Sequence, residues 1–153
     1  MNATALHTVM NEARNCASAM LESGTFIGRE LPNVRMDEPV RVATVEICSH
    51  LLGTKHDIIH ELFEIDELLA NGASDKRIMS AIALIIDWLW EDIQRMHEIV
   101  TTLEASTHRE PDYGGAYILI AECAMNILNP FNRAKEAADS LAETITGANS
   151  QPK

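Results

Sequence analysis

The chain has 153 residues, with 12 Lys or Arg against 23 Asp or Glu, a formal net charge of −11. Hydrophobic residues make up 46% and charged residues 23%, a globular balance that excludes wholesale disorder. This length points to one domain, placed at residues 1–147 with a frayed tail over 148–153, and to a core large enough to need no disulfide or metal.

Leu6, Val9, Met10, Ala13, Cys16, Ala17, Met20 and Leu21 recur every three or four residues. They predict a helix from Thr4 that stops at Gly24, which would supply a left-handed cap. Residues 25–36 have no period and contain Gly28 and Pro32. A loop is expected there, with Phe26, Ile27 and Leu31 folded back onto the bundle.

Asp37 is the expected N-cap of the second helix, with Pro39 in its first turn. Val42, Val45, Ile47, Cys48, Leu51 and Leu52 continue it. At Gly53-Thr54 two readings compete. Thr54 with Asp57 resembles a capping box, which would begin a new helix. A helical Gly costs only about 1 kcal/mol, so one helix is also open. Ile59, Leu62, Phe63, Ile65, Leu68 and Leu69 keep the face going, which favours one helix, straight or kinked, to Ala70. Ile59 and Phe63 are read as its core face. Asn71-Gly72 stops it.

Ser74 is the expected cap of the third helix. Its stripe is Ile78, Ile82, Ile85, Leu89, Ile93, Met96, Val100 and Leu103, the spacing of helix-on-helix packing. Met79, Ala83, Ile86 and Trp90 form a second stripe, so residues 78–90 are apolar on most of their circumference. Such a helix is central in a bundle or packs on a second subunit.

Residues 106–115 read as a loop. The last helix begins near Ala116, with Ile118, Ala121, Met125 and Leu128, and a kink or restart is expected at Asn129-Pro130. Phe131, Ala134, Ala138, Leu141 and Ile145 carry a narrower face beyond it. The fold class is therefore all-α, an antiparallel bundle of four principal helices with breaks allowed at Gly53 and Pro130.

Several function classes lose support at this stage. No apolar run reaches the ~18–20 residues of a membrane span, and the N-terminus lacks the compact apolar segment of a signal peptide. Cys16, Cys48 and Cys123 are far apart and form no CxxC, so free thiols in a reducing cytoplasm are expected. Scattered, outnumbered cations argue against direct nucleic-acid binding. No phosphate-binding loop or nucleophile elbow is present, and no cofactor is expected.

Four constellations remain. His56, His60 and Glu64 are spaced i, i+4, i+8, so one helix face would present two imidazoles and a carboxylate to a divalent metal. Solvated helix-face histidines are the plainer reading, since the metalloprotease pattern requires Glu where Asp57 stands. Asp87, within an apolar segment, is a candidate general acid or base; otherwise it opens a polar seam with Glu91 and Arg95. Trp88 and Trp90 lie about 200° apart on a helix, so both cannot serve one core: either one marks an interface, or one is a core residue and the other partly covered. Asp57, Glu61, Glu64, Asp66 and Glu67 contain no cation among them, and Asp87, Glu91, Asp92, Glu98 and Glu104 share only Arg95. Adjacent antiparallel helices would join these acids into one negative face, either solvating or docking on a basic patch.

The expected function is non-enzymatic: a cytoplasmic adaptor, regulator or inhibitor that binds another protein's basic surface, including a nucleic-acid-binding one. Its contact residues would be Asp57, Glu61, Glu64, Glu67, Glu91, Glu98, Trp88 and Trp90. A homodimer through the third helix is expected. The alternatives are a metal-binding bundle on His56, His60 and Glu64 and, more weakly, an enzyme using Asp87.

Overall fold

The computed structural model describes residues 1–150. Four long helices account for nearly all of them: α1 (Ala3–Glu30), α2 (Glu38–Ala70), α3 (Asp75–Thr107) and α4 (Gly114–Ser150). No strand occurs among the described residues. Short 3₁₀ turns at Leu31–Asn33 and Pro111–Tyr113 bridge α1 to α2 and α3 to α4. Each helix packs on the next, and α4 closes back onto α1, while the diagonal pair α1 and α3 barely touch. The result is an antiparallel four-helix bundle. The helical backbone enters the expected frayed tail as far as Ser150; residues 151–153 lie outside the described residues.

The starts and stops follow local chemistry. Asn2 caps α1 by accepting from the amides of Thr4 and Ala5, each at 3.1 Å. Ser74 caps α3 as expected, its hydroxyl accepting from the Arg77 amide. Gly72, at φ 67°, provides the left-handed turn after α2, and the Ala73 amide donates back to Leu68 at 2.9 Å. Asp37 stands at the N-cap of α2, but its side chain makes no cap. Its Oδ1 instead accepts the Tyr113 hydroxyl at 2.9 Å, joining the two connections at this end of the bundle. Arg35 and Asp112 pair at 2.9 Å beside it. Arg41 donates to the carbonyls of Leu31 and Val34, tying the α1–α2 connection to α2.

Two boundary expectations, at Gly24 and Pro130, are corrected, and the favoured single helix through Gly53 is met. Helix α1 does not end at Gly24; it continues to Glu30, so only 31–37 connects it to α2. Gly24 is buried, and a Cβ there would stand 3.3 Å from the Cys48 carbonyl and 3.5 Å from Leu52. The glycine serves close approach of α1 to α2 rather than termination. Helix α2 runs unbroken through Gly53. Helix α4 does not restart at Pro130: the proline lies inside one continuous helix, and it is buried. It removes one amide from the ladder, and packing on both neighbours holds the helix across the gap.

The core face of α2 is also corrected. Its buried residues are Val40, Thr44, Ile47, Leu51, Thr54, Ile58, Leu62 and Ile65. Val42, Val45, Leu52, Phe63 and Leu69 are exposed instead, and Ile59 is half-buried. Two threonines sit in the inner stripe. Thr44 is satisfied by donating to the Val40 carbonyl at 2.7 Å. A reading that follows only apolar residues therefore drifts to the outer side of the helix.

Candidate functional site

The acids singled out above flank the seam between α2 and α3, the least extensive of the four helix–helix seams. His50, Thr54, Asp57, Glu61 and Glu64 are spaced four, three, four and three on one flank of α2. His50 fixes that flank as the one turned to α3, because its Nε2 lies 2.8 Å from Oδ1 of Asp92. Glu67 follows at the end of the row, facing outward. Across the seam, Glu91 and Glu98 are exposed on α3, and Asp87 is exposed with them. The structure thus places Asp57, Glu61, Glu64, Glu91 and Glu98 along one seam, all exposed except the half-buried Glu61.

Few of these charges are neutralised within the chain. Glu91 pairs with Arg95 at 3.3 Å, and Glu64 approaches His60 at 3.9 Å. Among the described residues, Asp57, Glu61, Glu67, Asp87 and Glu98 form no ion pair or side-chain hydrogen bond. The expected Asp87–Glu91–Arg95 seam exists geometrically, but only its second half is bonded.

The two tryptophans divide as their angular separation implies. Trp88 is half-buried and packs against the core. Trp90 is 49% exposed and stacks on Phe131 of α4, with ring centroids 5.7 Å apart and planes at 22°. It therefore belongs to the α3–α4 edge, away from the acidic seam.

His56 and His60 are exposed on α2. Among the described residues, no three His, Cys, Asp or Glu side chains gather as a metal site, so His56 does not converge with the His60–Glu64 pair. The cysteines are free. Burial, reinforced by Glu12, pushes the Cys16 thiol up to about 12, and burial followed by Cys123 pushes Cys48 up to about 11. Burial likewise raises Cys123, against the pull of Ser23. Thiols held this way are poor nucleophiles.

One acid that the sequence reading assigns to the negative face is corrected: Asp92 is buried. It is 1% exposed, and neither carboxylate oxygen receives a well-aligned hydrogen bond among the described residues despite the short approach of His50. Burial raises its pKa, and Glu91 pushes the same way; Thr54, His50 and Arg95 act in opposition. A signal for it existed. Leu89, Asp92, Met96, Ile99 and Leu103 keep a three–four alternation, so Asp92 occupies a core position in an otherwise apolar stripe. His50 leads outward from Asp92 to an open cleft of about 430 Å³ between α2 and α3, which Glu46, Arg95 and Glu98 also line.

No family model, curated protein or solved structure matches this chain. No described helix is long and apolar enough to cross a membrane.

Proposed function

We propose that this chain is a non-enzymatic binding protein of the cytoplasm, an adaptor, regulator or inhibitor that docks on a basic surface of another protein through the α2–α3 acidic face. A nucleic-acid-binding surface of the partner is one such target. The observation that carries this reading is the set of exposed acids, Asp57, Glu67, Asp87 and Glu98, that no cation among the described residues neutralises. Glu61, Glu64, Glu91 and Trp88 complete the surface. A partner's lysines and arginines would supply the missing charge, steer association and fix its orientation.

The test is affinity against salt. Once a partner is isolated from the source cell, its association with the wild-type chain should slow as salt rises, because the screening length falls from about 10 Å at 0.1 M to about 3 Å at 1 M. Reversing Glu61, Glu64 and Glu67 to Lys should abolish binding while leaving melting nearly intact. Equal, salt-independent affinities for wild type and variant would sink this reading. We further propose a homodimer, with half-exposed Trp90 in its contact. A monomer mass by light scattering at micromolar concentration would count against it.

A further inference from the structure

Helix α2 carries a second heptad stripe that lies mostly outside the core, with only Ile59 packed against it and Leu52 beside Gly24 of α1. Val42, Val45, Ser49, Leu52, His56, Ile59 and Phe63 alternate by three and four residues without interruption. All are exposed except Ile59, which is half-buried, and Phe63 at 66% is the most exposed large apolar side chain among the described residues. At 1.5 Å per residue this seam runs for about 30 Å. Its spacing is that of the side chains with which one helix receives another. At its far end, Ile59, Leu62 and Phe63 with Arg14 and Asp66 line a recess of about 100 Å³, the size of a single side-chain anchor.

The edges of this stripe differ in charge. On the edge toward α3 lie Glu46, Asp57 and Glu64, with Glu67 beyond Phe63. Glu46, Asp57 and Glu67 have no ion-pair partner among the described residues. On the edge toward α1, Arg41 is engaged with the carbonyls of Leu31 and Val34, and Asp66 is 3.9 Å from Arg14. Lys55 is the one unpaired cation on that edge among the described residues, whereas the free charge of the α3-side edge is all negative. A second copy of this chain would add another acidic edge to a pair already carrying −11 on each chain.

We propose that the outer face of α2 receives an amphipathic helix of a partner protein, with apolar residues in the same heptad and lysine or arginine on the flank that meets Glu46, Asp57, Glu64 and Glu67. This rests on the acidic-docking reading and specifies the shape of its partner. The apolar stripe sets the register of the incoming helix, and the acidic edge selects its charge and direction.

Three labelled synthetic peptides of about four heptads test this by fluorescence anisotropy, at concentrations where each is monomeric. The first has leucines at the two heptad core positions and lysines on one flank. The second has the same composition scrambled, and the third replaces the lysines by glutamine. The first should bind the full chain at least tenfold tighter than either control. Val45→Ser with Phe63→Ser should weaken it tenfold or more, with melting unchanged. Equal binding of the scrambled peptide would overturn the helix groove while leaving acidic docking standing. Equal, salt-insensitive binding of the glutamine peptide would overturn the basic partner and the acidic-docking reading together. Absence of binding by the first peptide would overturn the groove. Self-association of the wild type that is lost in the double variant would assign the stripe to a second copy instead.

Discussion

The inner and outer stripes of α2 share one helix and steps of three and four residues, yet they have opposite fates. The inner stripe contains two threonines and is buried throughout; the outer one contains Val42, Val45, Leu52 and Phe63 and faces solvent. Apolar content does not decide between them. Position relative to three other helices does, because an inner threonine that donates to its own helix's carbonyl is nearly free of desolvation cost. The outer stripe then remains as apolar surface outside the core, and it is this surface that the proposed partner helix would cover.

The sharpest break between the two stripes is a pair of truncations. Leu51→Ala on the inner side should lower stability by about 2–5 kcal/mol through lost burial and a cavity. Phe63→Ser on the outer side should stay within about 0.5 kcal/mol. Denaturant unfolding of both variants measures the difference. Comparable losses would mean that the outer stripe also supports the fold.

The next effect concerns Asp92, the one acid on the buried side of the α2–α3 seam. A carboxyl whose pKa is raised by folding is best tolerated when protonated, so its contribution is most favourable below the unfolded value near 3.9. That contribution is lost as pH rises through the folded value. Asp92→Asn, which does not titrate, should therefore be more stable than wild type at pH 8 by about 1–3 kcal/mol, the typical cost of an unsatisfied buried group. The gap should close as pH is lowered toward 4. A gap that is constant with pH would show that ionisation of Asp92 carries no such cost.

The smallest effect compares two helical glycines. Gly53 has open space where a Cβ would stand, so Gly53→Ala should stabilise by up to about 1 kcal/mol through helix propensity. Gly24→Ala gains the same propensity but pushes against the Cys48 carbonyl at 3.3 Å. Its melting temperature should therefore fall below that of Gly53→Ala. Equal shifts would mean that α1 and α2 separate without resistance.

Much of the bundle was legible because helical periodicity and caps are local. The stop at Gly72 and the cap at Ser74 depend on a few neighbouring residues, and both occur where the chain chemistry places them. Gly24 and Pro130 were misread because each was judged by its own backbone preference. One is set by the approach of α2, the other lies buried within an unbroken helix. The exposed acids were legible as a face, since charge and spacing suffice to place them together. Asp92 was hidden among them, because nothing local distinguishes a buried aspartate from a solvated one. Only the register of Leu89, Met96 and Leu103 around it carried the difference.

The seam between α1 and α4 has a consequence for how the chain is made. It is the most extensive of the four, yet it joins Cys16 to Ile127 and Glu12 to Arg133, pairs 111 and 121 positions apart in sequence. Every other seam joins consecutive helices through a short turn. On a ribosome adding about 5–20 residues per second, α1 is complete for on the order of ten seconds before its main packing partner exists. During that interval α2 covers only one side of the α1 stripe, and Cys16, whose partner is Ile127, awaits α4. The nascent chain is therefore most open to chaperone capture, or to pairing with a neighbouring nascent chain, just before α4 emerges.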